Sequence, residues 1–175
     1  TVHVDKRQVA EKAASLFLEK NRKKVVQLVS SHTIKNYENE QEQLFHELLE
    51  KQGCEVVDIS IGYNTFTAEG YKDAAERIFE ECSDMDGIFG VDMAAIACLR
   101  EAKLRKLKVP EELSIVSIDG TYITKLGPEI LTSIVQPIEK MAKKLVSMII
   151  LQIEGKQVEE IKAIFDVEIQ DGETC

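Results

Sequence analysis

The sequence predicts an α/β protein built on a parallel sheet, and three observations lead there. Apolar runs and amphipathic helical stretches alternate from residue 24 to residue 119 at intervals of about thirty residues, the rhythm of a doubly wound sheet. Two of those runs, Gly87–Val91 and residues 113–118, each end in a carboxylate, at Asp92 and Asp119. Between them lie a helical segment and a Val-Pro-Glu-Glu turn, which completes a parallel βαβ unit. Ligand crevices of open α/β sheets lie beyond the carboxyl ends of the strands. Two aspartates at two such ends point to a site for a small polar molecule.

The elements follow in order. Residues 1–4 alternate like a strand, and Asp5 can cap a helix over 6–20, whose stripe is Val9, Ala10, Ala13, Ala14, Leu16 and Phe17. A strand over 24–30, a polar loop over 31–37 and a helix over 38–52 come next, with Gly53 as its stop. A strand over 55–61, a loop over 62–66 and a helix over 68–82 capped by Thr67 lead into Gly87–Val91. A helix over 93–104 and a strand over 113–118 complete the rhythm. Residues 122–130 then read as a loop, 131–135 as a short extended piece and 138–154 as a strongly amphipathic helix. Residues 161–169 read as a last extended piece, and the polar tail 170–175 is expected to fray.

Composition narrows the function. A chain of 175 residues supports one α/β domain. A net charge of −9 disfavours a nucleic-acid surface. The run Arg22-Lys23-Lys24 reads as a solvated helix end. The four cysteines have no C-x-x-C spacing, so neither zinc nor any other metal is expected, and Cys98 reads as a small core residue. No apolar stretch reaches the ~20 residues of a membrane span. No signal peptide is visible at the first residues, and reduced thiols suit the cytoplasm. Catalysis finds no motif: His3, His32 and His46 are scattered, and no nucleophile elbow, zinc-protease or P-loop pattern occurs. No dinucleotide fingerprint follows a strand, and no cofactor is expected.

Several segments resemble the effector-binding domain of the lac repressor/galactose repressor family of bacterial transcription regulators. Asp5-Lys-Arg-Gln-Val-Ala through Val25, and Phe66-Thr-Ala-Glu-Gly-Tyr71, are similar to two of its segments. Asp92-Met-Ala-Ala-Ile96 and Pro128-Glu-Ile-Leu-Thr-Ser-Ile-Val-Gln-Pro137 are similar to two more. Lys108-Val-Pro-Glu-Glu-Leu-Ser-Ile-Val-Ser-Ile-Asp119 is the most specific match. The resemblance implies a periplasmic-binding-protein-like fold, mainly the C-terminal subdomain over about 5–121 and 156–170. Residues of about 131–155 would be a hinge and a crossover helix of the N-terminal subdomain. The chain is then expected to be a fragment without the helix-turn-helix, its crossover helix exposing an apolar stripe that invites association. The implied function is a repressor's response to a sugar or sugar phosphate, with a homodimer as partner, operator DNA reached only through the missing part, and no membrane. The alternative is a solute-binding receptor of a sugar ABC transporter, which shares the fold.

The resemblance also nominates binding residues. Asp119 matches a carboxylate that accepts sugar hydroxyls; a loop carboxylate capping the next segment is the plainer reading. Gln136 matches a hinge glutamine that donates and accepts, or only braces the hinge. Phe66 can stack on a sugar face or pack in the hinge. Asp92 is the second strand-end carboxylate, for which capping the following helix is the stronger reading. Ser30 lies at a strand end and can line the cleft. Gln41 stands where the family usually has an arginine, Leu44 where it has glycine, Val91 where it has asparagine and Ser117 where it has glycine. Loss of the arginine removes a bidentate anchor, which leaves room for a phosphorylated sugar or a protein co-effector.

Overall fold

The structure, a computed structural model, describes residues 1–30, 40–61, 67–155 and 162–175. Its strands are β1 (Val2–Val4), β2 (Lys24–Ser30), β3 (Glu55–Ile61), β4 (Gly87–Val91), β5 (Ser114–Asp119), β6 (Thr132–Val135), β7 (Ala163–Phe165) and β8 (Glu168–Gln170). Its α-helices are α1 (Lys6–Glu19), α2 (Glu40–Glu50), α3 (Ala68–Glu81), α4 (Asp92–Leu104) and α5 (Ile138–Ile153), with a 3₁₀ turn at Tyr122–Lys125.

Six strands form one sheet in the order β3-β2-β4-β5-β6-β8, parallel except for β8. The mostly apolar faces of β2, β4 and β5 follow from cover on both sides. On one side α1 and α2 bury Val9, Phe17, Phe45 and Leu49 against Val25, Val56 and Phe89. Phe45 stacks on Phe89 with centroids 4.9 Å apart and meets Phe17 edge-on at 6.0 Å. On the other side α3 and α4 bury Ile78, Phe79, Ala95 and Cys98 against Val26, Ile88 and Ile115. Cys98 is thus a core residue, and burial pushes its thiol up to about 12.

Local chemistry sets the helix ends. The Asp5 carboxylate accepts from the amides of Arg7 and Gln8, and the Thr67 hydroxyl from that of Gly70, so both caps stand as expected. The helix after β4 begins at Asp92 itself, with Val91 as an N-cap that makes no side-chain bond. Asp92 therefore does not cap it.

The extended piece expected over 131–135 is present as Thr132–Val135, a strand of the six-stranded sheet. Three expectations change. Residues 161–169 do not form one strand: Ala163–Phe165 pairs with β1 in a separate two-stranded sheet, and Glu168–Gln170 returns to β6. The break sits where Gln8 ties down both Asp166 and the amide of Val167. Arg22 is half-buried and bonded rather than a free cation in solvent. Its guanidinium donates to Ser114 Oγ at 2.8 Å and to the carbonyls of Pro110 and Glu111, clasping the loop before β5.

The tail does not fray either. Thr174 is buried, because its backbone and hydroxyl serve strand groups that β5 and β6 leave unpaired. Ile115 N donates to Thr174 O (2.7 Å), Thr132 N to Thr174 Oγ1 (3.0 Å), and Thr174 Oγ1 to Ile115 O (2.7 Å). Thr174→Val keeps the shape and removes both hydroxyl bonds, leaving a buried amide and a buried carbonyl short of partners. It should cost about 2 kcal/mol in urea unfolding.

α5 behaves differently from the other helices. Met148 is buried and Met141 touches the core, but Ile138, Leu145, Val146, Ile149, Ile150 and Ile153 are exposed. Among the described residues no helix is long and apolar enough to cross a membrane.

Candidate binding site at the carboxyl edge of the sheet

β4, β5 and β6 end side by side: β4 leads directly into Asp92, β5 ends on Asp119 and β6 leads directly into Gln136. Asp119 takes φ 109° and Gly120 φ 66°. The turn needs a glycine at 120 for space as well: a Cβ there would lie 2.6 Å from Val135 Cγ2 and 2.8 Å from Val135 Cα. This reversal presents the half-buried Asp119 carboxylate to Gln136. Gln136 Nε2 donates to Asp119 Oδ1 at 2.7 Å, and the Gln136 amide donates to the Asp119 carbonyl at 3.1 Å. The two residues nominated for binding therefore meet.

Asp92 does something else. It is 3% exposed. Its Oδ2 accepts from the amide (2.8 Å) and hydroxyl (2.7 Å) of Thr121, and its Oδ1 lies 3.4 Å from both the Gly120 amide and Ser133 Oγ. The carboxylate holds the turn after β5 against β6 from beneath. As a ligand contact Asp92 is thus corrected: its oxygens are occupied inside the protein.

Electrostatics set the two aspartates apart. Burial first, and the neighbouring Asp92 second, push the Asp119 carboxyl up to about 6, against a downward pull from the Gln136 bond. Burial and then the Asp119 charge also raise the Tyr71 hydroxyl, so the phenol on α3 feels this carboxylate. Tyr71 was not nominated from sequence, although it lies in a matched segment and on the buried stripe of its helix. Thr121 and Ser133 were missed too, since nothing in their local sequence marks them as partners of Asp92.

The remaining nominees divide. Ser30 ends β2 opposite Ile61 at the same edge of the sheet. Gln41 lies half-buried in the first turn of α2. Phe66 falls outside the described residues. Among the described residues no cluster of His, Cys, Asp and Glu could hold a metal ion. His46 faces Asp58 at 2.9 Å, and Asp58 also accepts from the buried Gln27.

Residues 14–175 fit the model of the periplasmic binding protein-like domain. The chain belongs to that family. Among the relatives of this periplasmic binding protein-like chain, the transcriptional repressor CytR of Escherichia coli (strain K12) is 26% identical over 172 residues, 97% of this chain and 50% of the repressor. The transcriptional regulator CelR of Thermobifida fusca is 24% identical over 126 residues, 71% of this chain and 37% of the regulator. The chain thus spans half or less of the length of these relatives. In solved structures the same fold occurs in a periplasmic binding protein/LacI transcriptional regulator of Alkaliphilus metalliredigens, complexed with D-xylulofuranose. Its TM-score is 0.83 at 24% identity, covering 98% of this chain and 64% of that one. It recurs in a CelR–cellobiose complex (TM-score 0.80, 19% identity, 98% and 53% covered).

Two outcomes follow from the geometry. Gly120→Ala must place a Cβ against Val135 at positive φ, and should cost about 1–3 kcal/mol of stability by denaturant titration. The Asp119 carboxyl is raised above its ordinary value near 3.8, so the folded state holds the proton better than the unfolded one. Stability contributed by this group is complete below that value and is lost as pH rises towards about 6. Asp119→Asn removes the charge, so its melting temperature should exceed wild type at pH 7.5. The gap should close by pH 4, as a pH series of calorimetric scans would reveal.

Proposed function

We propose that this chain is the effector-responsive part of a bacterial transcriptional repressor that binds a sugar or sugar phosphate without transforming it. The observation that carries the reading is the meeting of Asp119 and Gln136 where β6 leaves the sheet for α5. A carboxylate and an amide there can accept and donate to vicinal hydroxyls. The relatives named as regulators favour this over a receptor of an ABC transporter, and a cytoplasmic location goes with it.

The chain crosses between its two sheets three times: from β1 to α1, from β6 to α5 and from β7 to β8. The first and third crossings are tied together by Asp5 N to Phe165 O (2.9 Å) and Gln8 Nε2 to Asp166 Oδ1 (2.6 Å). In our reading a ligand seated at the second crossing favours one angle between the units, and that angle is linked reciprocally to operator affinity. The exposed stripe of α5 would face the rest of the second unit. DNA contact would belong to a preceding segment.

The partner is a second copy of the chain, docked on α4. A groove of about 630 Å³ runs between α4 and the 3₁₀ turn, lined by Met93, Ile96, Leu104, Leu126 and Leu131. A smaller one of about 160 Å³ flanks α4 on its α3 side and shares Met93, Ile96 and Leu104. A ridge with a groove beside it suits an isologous contact, ridge into groove both ways.

The binding reading is tested by thermal shift of the full-length protein against neutral sugars and sugar phosphates. A ligand at a hundred times its Kd should add ~2.7 kcal/mol, and Asp119→Ala should abolish the shift. Silence from every compound would end the sugar reading. For the dimer, Leu104→Glu should convert the sedimentation profile to monomer while leaving the far-UV spectrum unchanged; an unaltered dimer would place the contact elsewhere.

A further inference from the structure

Two carboxylates, Asp92 and Asp119, approach each other behind one turn, and they are unequally served. Asp92 accepts on both oxygens, from Thr121 twice and, at longer range, from Gly120 and Ser133. To Asp119, among the described residues, the one side-chain donor is Gln136 Nε2. The groups that face it are Asp92 from α4, the Tyr71 phenol from α3 and Gln136 past β6, while its register partner on β6 is the apolar Val135. No Lys, Arg or His pairs with either carboxylate among the described residues. Like charges crowded without a counter-cation are relieved by a proton on the partner that fewer donors serve. That partner is Asp119.

Gln136 occupies a particular place in the chain. It is the last residue before Pro137 and α5, so its side chain sits at the exit from the six-stranded sheet to the second unit. An amide can donate to a carboxylate or accept from a carboxylic acid, but not with the same group. A charged Asp119 therefore holds the NH₂ of Gln136 by a charge-assisted bond, whereas a neutral Asp119 keeps an accepting oxygen but binds that NH₂ more weakly.

We propose that the end of β5 is a proton-sensitive clamp: the fold stores a proton on Asp119 between Asp92 and Gln136, and releasing it draws the Gln136 amide onto the strand end at the crossing to α5. The clamp is a property of the ligand-free chain and stands apart from which effector, if any, binds there. Its consequence is that the crossing tightens as pH rises and loosens as pH falls.

The test is a pH titration by NMR of the ligand-free protein, following the Asp119 carboxyl carbon and the Gln136 side-chain NH₂ together. Both should move with one midpoint near 6, as the raised carboxyl implies, and the NH₂ exchange with water should slow on the alkaline side. In Asp119→Asn the Gln136 signals should no longer respond to pH. In Gln136→Ala the carboxyl midpoint should rise, since its donor is gone, and in Asp92→Asn it should fall by about one pH unit. Should Asp92→Asn fail to fold, Gln136→Ala carries the test alone, because its side chain is half-buried and its loss leaves the core untouched. A midpoint near 4, or Gln136 signals that ignore the Asp119 titration, would overturn the proposal.

Discussion

The turn after β5 depends on one buried carboxylate. Asp92 sits beneath it with almost no solvent contact and ties three pieces of chain that are distant in sequence: the start of α4, the Gly120–Thr121 reversal and Ser133 on β6. A buried charge is costly unless hydrogen bonds satisfy it, and once satisfied it permits little rearrangement. The positive φ at Asp119 and Gly120 is sustained by that anchorage and by the close approach to Val135. Without it the carboxylate of Asp119 and the amide of Gln136 would not be brought within 2.7 Å.

The same anchorage gives the edge its electrical character. Burial first, and the carboxylate in the floor of the turn second, push the upper aspartate up to about 6. Two residues of the same type are thereby set in different surroundings. The buried aspartate orders the backbone, and the half-buried one meets the outside. The crossing from β6 to α5 begins at the glutamine that touches it, so whatever alters that carboxylate acts where the chain passes from one sheet to the other.

The site was legible in part. Asp119 and Gln136 could be nominated because one follows an apolar run and the other a matched segment, and both stand at a strand end in the fold. The role of Asp92 could not be read, since a carboxylate before a helix looks like a cap, and only the path of the chain after β5 brings Thr121 to it instead. Arg22 looked like a solvated cation because its partners, the carbonyls of Pro110 and Glu111, lie some ninety residues away. The tail looked loose because its composition is polar, whereas polar groups were what the unpaired starts of β5 and β6 required.

Alternation of apolar runs with helical stripes, together with the caps at Asp5 and Thr67, determined an α/β parallel sheet and most of its elements from sequence alone. These are short-range properties: a period of two or of 3.6 residues, and a side chain reaching an amide two or three residues on. Tertiary structure alone decided that Thr132–Val135 belongs to the main sheet and that Ala163–Phe165 pairs with Val2–Val4. It alone decided as well which of two similar aspartates is buried. Strand pairing and burial depend on groups contributed by segments far apart in the chain. No local pattern of residues carries the identity of a partner a hundred residues away.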